Sequence, residues 1–155
     1  MKTDNLKFSK TTIKRASLIA FIITLIGFFF LVKNHLIISN NPIAITIQVC
    51  AVGIMIWARI TFGMRSFHAS ANSTKGELVT SGPYRFLRHP IYASIIYFFL
   101  ACIIAFPTLE TIIGVFVIIA STYARMVFEE ISLKETYKEY ELYSQKAKRI
   151  IPFLF

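Results

Sequence analysis

The sequence predicts an all-α fold: an integral membrane helical bundle of about four transmembrane helices plus a C-terminal amphipathic cytoplasmic helix. Three observations carry this. Hydrophobic residues make up 55% of the 155 positions, more apolar surface than a soluble domain of that size hides from water. They are gathered into four long runs. The basic residues behind a net charge of +9 lie between and beyond those runs, which favours a membrane over a nucleic-acid partner.

The first run, residues 16–32, carries no charge and follows a basic stretch containing Lys10, Lys14 and Arg15. It is longer than a signal-peptide core, and no small-residue cleavage site follows it, so a retained anchor is expected. The second span, 43–62, is opened by Pro42 and carries Arg59 near its end. The third, placed at 88–106, has its apolar part at 91–106 between Pro90 and Pro107, short of the roughly 20 residues a span needs. The fourth, 108–128, holds Glu110 and Arg125 near opposite ends, where long side chains reach the interfaces. Spans three and four meet almost directly at Pro107 and must form a tight antiparallel hairpin. Residues 129–148 read as the amphipathic helix, with Leu133, Tyr137 and Tyr140 at helical spacing and Pro152 beyond its end. The whole chain, 1–155, is one membrane domain.

Orientation follows from Lys and Arg. With four spans, the basic N-terminal tail, the 63–90 segment and the basic C-terminal tail fall on one side, leaving only Lys33 on the other. The positive-inside rule makes the basic side cytoplasmic, with both termini there. Cys50 and Cys102 lie inside apolar runs and read as buried structural thiols; no metal-ligand spacing is present.

Under this topology polar groups from separate parts of the chain converge at the cytoplasmic interface: Trp57 and Arg59, then Arg85, Arg88 and His89, then Arg125, Glu129 and Glu130. Each alone is an ordinary interfacial anchor; together they mark a site. Gly82-Pro83 signals a turn. Pro90 suits the first turn of a helix and pushes His89 towards an extended shape, so His89 is expected to cap the third helix, where open N–H groups and Arg88 hold an anion. Arg125 and Glu129 are one helical turn apart, and the adjacent Glu130 is costly at a membrane boundary unless a positive group engages it. The same residues also fit a capped helix and a polar boundary.

Leu78-Val79-Thr80-Ser81-Gly82-Pro83-Tyr84-Arg85, then Arg88-His89-Pro90-Ile91-Tyr92, then Arg125 with Glu129-Glu130, then Tyr137 and Tyr140, then Arg149-Ile150-Ile151-Pro152-Phe153, resembles the isoprenylcysteine carboxyl methyltransferase family, whose relatives include phospholipid N-methyltransferases. The resemblance covers roughly 57–153 and does not include the first span. Ser94 stands where relatives often have Gly. The resemblance implies S-adenosyl-L-methionine as methyl donor. It implies cofactor binding by Val79, Gly82, Tyr84, Arg88, His89, Tyr92 and Glu129, and catalytic roles for Arg125 and Glu130 in positioning and transfer. It implies a lipophilic methyl acceptor entering from the bilayer. A soluble-type Gly-x-Gly-x-x-Gly fingerprint is absent. Two other readings stay open: an NADPH-dependent membrane reductase of sterol-reductase type, which shares an Arg-His-Pro-x-Tyr segment, and a non-enzymatic membrane scaffold. Acceptor identity and oligomeric state are not legible.

Overall fold

The structure, a computed structural model, describes residues 9–63 and 77–152. Residues 64–76 of the expected cytoplasmic loop and Phe153 of the C-terminal motif lie outside the described residues. The described chain is all helical: α1 (Lys10–Lys33), α2 (Pro42–Phe62), α3 (Pro90–Ala105), α4 (Leu109–Thr136) and α5 (Tyr140–Lys146), with a 3₁₀ turn at Gly82–Arg85. Helices α1, α2 and α4 are long and apolar enough to cross a bilayer, and α3 is a shorter apolar helix beside them. This is an integral membrane bundle.

Each helix starts where its local chemistry dictates. Asn41 caps α2 with its side-chain oxygen on the Ile43 and Ala44 amides, and Pro42 follows at the first helical position. Thr108 caps α4 through the Thr111 amide. Pro90 opens α3. The third helix therefore begins two residues later than the 88–106 span expected, because the residue before a proline is pushed out of helical geometry. Its 16 residues rise about 24 Å, less than the roughly 30 Å hydrocarbon core. The fourth helix differs in the other direction. It runs unbroken to Thr136, so residues 129–136 end α4 and do not begin a separate amphipathic helix. The chain leaves helical geometry at Tyr137, and only the seven residues of α5 follow.

Packing runs α1 on α4, α4 on α3 and α3 on α2. Small residues permit close approach, as expected where lipid offers no hydrophobic drive between helices. A Cβ on Gly27 would meet Ile118 Cγ1 at 2.7 Å, and one on Gly114 would meet Leu31 Cδ2 at 2.8 Å. Ala44, Ala51 and Ala58 form the buried stripe of α2. Leu31, Leu36, Phe99, Cys102, Val115 and Ile118 form the core at the α3–α4 hairpin end. Large apolar side chains such as Ile26, Phe29, Val49, Ile60 and Phe116 point outward, as a lipid-facing surface requires.

Candidate functional site

The opposite end of the bundle is polar, and Glu130 is its centre. Only 5% exposed, its carboxylate accepts from Arg88 (NH1 to Oε1, 3.0 Å), from His89 (Nε2 to Oε1, 3.1 Å) and from Arg149 (Nε at 3.2 Å, NH2 at 2.9 Å). One buried carboxylate thus gathers cations from the start of α3 and from the C-terminal segment onto α4. Such a charge is tolerable in a dry position only because it is multiply hydrogen-bonded.

The backbone repeats this link. Arg88 N donates to Lys148 O at 2.6 Å, His89 N to Arg149 O at 3.2 Å and Lys148 N to Phe86 O at 3.1 Å, a short parallel bridge between Leu87 and Lys148. The pre-proline geometry that keeps His89 out of α3 leaves its amide pointing at this partner. The His89 side chain makes no cap hydrogen bond to α3; its ring turns to Glu130 and is 3% exposed. Sequence reasoning placed His89 as a cap over an anion-binding helix end. It occupies the N-cap position, and the anion its ring engages is Glu130.

Glu129 points elsewhere. Its Oε2 accepts a 2.6 Å hydrogen bond from the Tyr92 hydroxyl, a short charge-assisted contact joining α3 to α4. Its charge also reaches Tyr84 and Tyr140. Burial, with the Glu129 charge second, raises the Tyr84 phenol above its ordinary range, so Tyr84 stays a neutral donor at physiological pH. Tyr140, 1% exposed beside Arg88, is pushed up to about 12 by burial and then by the Glu130 charge. Adjacent glutamates therefore do different work: Glu130 is sealed by basic groups, and Glu129 sits among tyrosines.

Arg125, 8% exposed, lies one turn before Glu129. Its guanidinium carbon stands 4.7 Å from the ring centroid of Phe21 in α1 and 5.8 Å from that of Tyr92 in α3. A guanidinium over ring faces is held by the negative quadrupole of the π system.

The 78–85 segment closes the other side. Gly82 has φ +56, a left-handed conformation, and a Cβ there would meet Thr61 Oγ1 at 2.6 Å, so glycine is required on two counts. Tyr84 is buried, its ring 5.5 Å from that of Phe62, and its carbonyl accepts from Tyr143 Oη at 2.7 Å. Val79 is half-buried in the extended stretch before Gly82. A cleft of about 510 Å³ runs between Glu77, Leu78 and Thr80 on one side and Glu139, Leu142, Tyr143 and Lys146 on the other.

Of the residues singled out in the sequence, Arg88, His89, Tyr92, Arg125, Glu129 and Glu130 come together at one end of α3 and α4. Gly82 and Tyr84 join them through Thr61, Phe62 and Tyr143. Val79 lies half-buried three residues before Gly82. Five contributors had been given no role in the site. Arg149 stood only in the basic C-terminal tail and in the Arg-Ile-Ile-Pro-Phe part of the resemblance, which was its signal. Tyr140 stood at helical spacing and in the resemblance with no role attached, and neither Tyr143 nor Tyr97, whose hydroxyl donates to the Ile150 carbonyl, carried any expectation. Phe21 carries no sequence signal.

No curated protein and no solved structure matches the chain. Residues 43–140, from the start of α2 to the start of α5, match the phospholipid methyltransferase family. The match contains Gly82, Arg88, His89, Tyr92, Arg125, Glu129 and Glu130, and leaves out α1 and the Lys148–Arg149 segment. The chain belongs to the phospholipid methyltransferase family, the membrane methyltransferases that include the isoprenylcysteine carboxyl methyltransferases.

Proposed function

We propose that this protein transfers a methyl group from S-adenosyl-L-methionine to a lipophilic acceptor at the cytoplasmic face of the membrane. The observation that carries the reading is the division of labour between Glu129 and Glu130: one carboxylate locks the scaffold, and its neighbour is held by Tyr92 among phenols at the same level.

The residues fit the donor's chemistry. Glu129 is an acceptor for ammonium and hydroxyl groups, and the buried Arg88 Nε has no hydrogen-bond partner among the described residues, which leaves a donor for a carboxylate. S-adenosyl-L-methionine would supply an electrophilic methyl on a sulfonium. Tyr92 would fix the rotamer of Glu129, and Gly82 and Tyr84 would shape the adjacent wall. Glu130, engaged by Arg88, His89 and Arg149, acts as a positioning residue for these groups. Arg125 would orient an anionic acceptor. A carboxylate acceptor is already nucleophilic and needs no general base. Sulfonium and carboxylate neutralise one another as the methyl moves, so a site that excludes water lowers the barrier. Alignment of the two partners supplies up to about 7–11 kcal/mol more.

The orientation rests on charge. Arg59, Arg88, Arg125 and Arg149 belong to the site end of the bundle, and Lys33 ends α1 at the far end. The acceptor would reach the site sideways from lipid and the polar donor from the cytosol. The deciding experiment incubates purified protein with S-adenosyl-L-methionine labelled on its methyl and a total lipid extract. A labelled, lipid-soluble product absent from a Glu129→Ala control supports the reading. Binding of NADPH in place of S-adenosylhomocysteine would overturn it.

A further inference from the structure

Helix α1 lies outside the family match, yet it touches the site through Phe21. Four successive contacts set its register against the antiparallel α4. Leu31 fills the space over Gly114, Ile118 fills the space over Gly27, Thr24 Oγ1 lies 2.9 Å from Ser121 Oγ, and Phe21 meets Arg125. The first three admit little slippage: a Cβ on either glycine would approach within 2.8 Å of a side chain, and the two hydroxyls, each also bonded to a carbonyl of its own helix, meet one another only at this alignment. The fourth contact is thereby fixed, one turn beyond Thr24 and one turn beyond Ser121. The Phe21 ring is closer to the guanidinium than the Tyr92 ring is, at 4.7 Å against 5.8 Å.

We propose that Phe21 is a positioning residue for the methyl acceptor: by holding the face of Arg125, it directs the guanidinium edge towards an oxyanion, carboxylate or phosphate, carried on a lipid tail. This deepens the proposed function and rests on it for the identity of the acceptor. The argument is geometric. A guanidinium hydrogen-bonds in its own plane and stacks on its faces. With the Phe21 ring over the guanidinium, recognition falls to its polar edge, which the Tyr92 hydroxyl also meets and which matches an oxyanion bidentately. Phe21 and Arg125 lie within the apolar helices, where a tail arrives alongside α1 and a charged headgroup needs a desolvated cation. A neutral headgroup gains nothing from that arrangement, so the site selects for charge.

The test uses full-length protein in phosphatidylcholine nanodiscs. Binding is measured for radiolabelled palmitate, for lysophosphatidate and for the neutral palmitamide, in wild type, Phe21→Leu, Phe21→Trp and Arg125→Gln. The expected result is that Phe21→Leu weakens the anionic probes about fivefold and leaves palmitamide unchanged. Phe21→Trp should stay within about twofold of wild type, since indole offers the better cation-binding face. Arg125→Gln should abolish the preference for anions. A stronger response with palmitate than with lysophosphatidate would assign the carboxylate, and the reverse the phosphate. Equal weakening of all three probes by Phe21→Leu, failure of Phe21→Trp to restore binding, or no anion binding by wild type would overturn the inference. Methyl transfer by the wild type to the lipid extract reports separately on the proposed function. Transfer with an unaffected Phe21→Leu removes this inference alone, and discrimination without transfer removes the methyltransferase reading alone.

Discussion

Glu130 and Arg149, 19 residues apart, form a bidentate ion pair in which Nε and NH2 of the guanidinium both reach the carboxylate, NH2 at 2.9 Å. That pair ties the end of the described chain to α4 at the point where Arg88 and His89 arrive from α3. The C-terminal segment is therefore part of the site's wall. Its backbone bonds to Arg88 and His89, and the Tyr97 hydroxyl on the Ile150 carbonyl, hold it there independently of side-chain charge.

Removing the hub should cost more than removing any spoke. Glu130→Ala leaves Arg88, His89 and Arg149 facing one another with no anion, and breaking a buried pair of this kind costs about 3–5 kcal/mol. Arg149→Ala leaves two basic partners on Glu130 and should cost less. Arg149→Lys should fall between them, since an ammonium retains the charge but not the fork. Thermal unfolding in detergent ranks the three. An Arg149→Ala loss as large as that of Glu130→Ala would argue against a shared hub.

Glu129 and Arg125 should separate in a binding assay. Glu129→Ala is expected to weaken S-adenosylhomocysteine in calorimetry, and Arg125→Ala to reduce turnover more than donor binding. Tyr92→Phe removes the 2.6 Å bond that orients Glu129, a charge-assisted contact worth about 1.5–3 kcal/mol. It should mimic part of the Glu129→Ala effect. If both variants bind the donor product as wild type does, Glu129 is not at its site.

What could be read from the sequence follows from where the physics is local. The four apolar runs were legible because lipid demands them. The extension of α4 to Thr136 was not, because Glu129 and Glu130 end the apolar run without ending the helix: Glu, Lys and Leu propagate it well. The break at Tyr137 has neither glycine nor proline, and it is tertiary in origin. Tyr140 buries beside Arg88, and Tyr143 reaches the Tyr84 carbonyl. The motif residues Arg88, His89, Glu129 and Glu130 were legible as a group, but their pairing was not. Nothing in the spacing says that Glu130 rather than Glu129 takes the basic partners. Phe21 was invisible for a related reason. An aromatic within an apolar span acquires meaning only through a helix register set elsewhere, at Gly27, Thr24 and Gly114.

Gly82 offers a test of the turn that carries Tyr84. Gly82→Ala adds two separable penalties, a left-handed backbone of φ +56 and a collision with Thr61 Oγ1 at 2.6 Å. The backbone part is worth about 1–2 kcal/mol for an L residue. A second change, Thr61→Ala, removes the hydroxyl and methyl in the way and should recover the steric part only. The expected order of thermal stability is wild type, then the double variant, then Gly82→Ala. Gly82→Ala as stable as wild type would mean that the turn relaxes freely and does not constrain Tyr84.

The buried tyrosines give the site end a signature at high pH. The Tyr140 phenol is raised from 10.0 to about 12, chiefly by burial, with the Glu130 charge opposing ionisation next. A folded-state value above the unfolded one means that the unfolded chain releases this proton first. The stabilisation is therefore complete below about pH 10 and is lost as pH climbs through the folded value. Tyr84 and Tyr143 are displaced in the same direction by the same cause and steepen the fall. Wild-type stability should then be insensitive to tyrosine ionisation up to pH 9 and decline between about pH 10 and 12. Subtracting the Tyr140→Phe curve isolates the contribution of one phenol from that of the lysines, which titrate in the same range but are present in both proteins. A difference curve that is flat across pH 10–12 would place the Tyr140 hydroxyl in water and remove it from the wall beside Arg88.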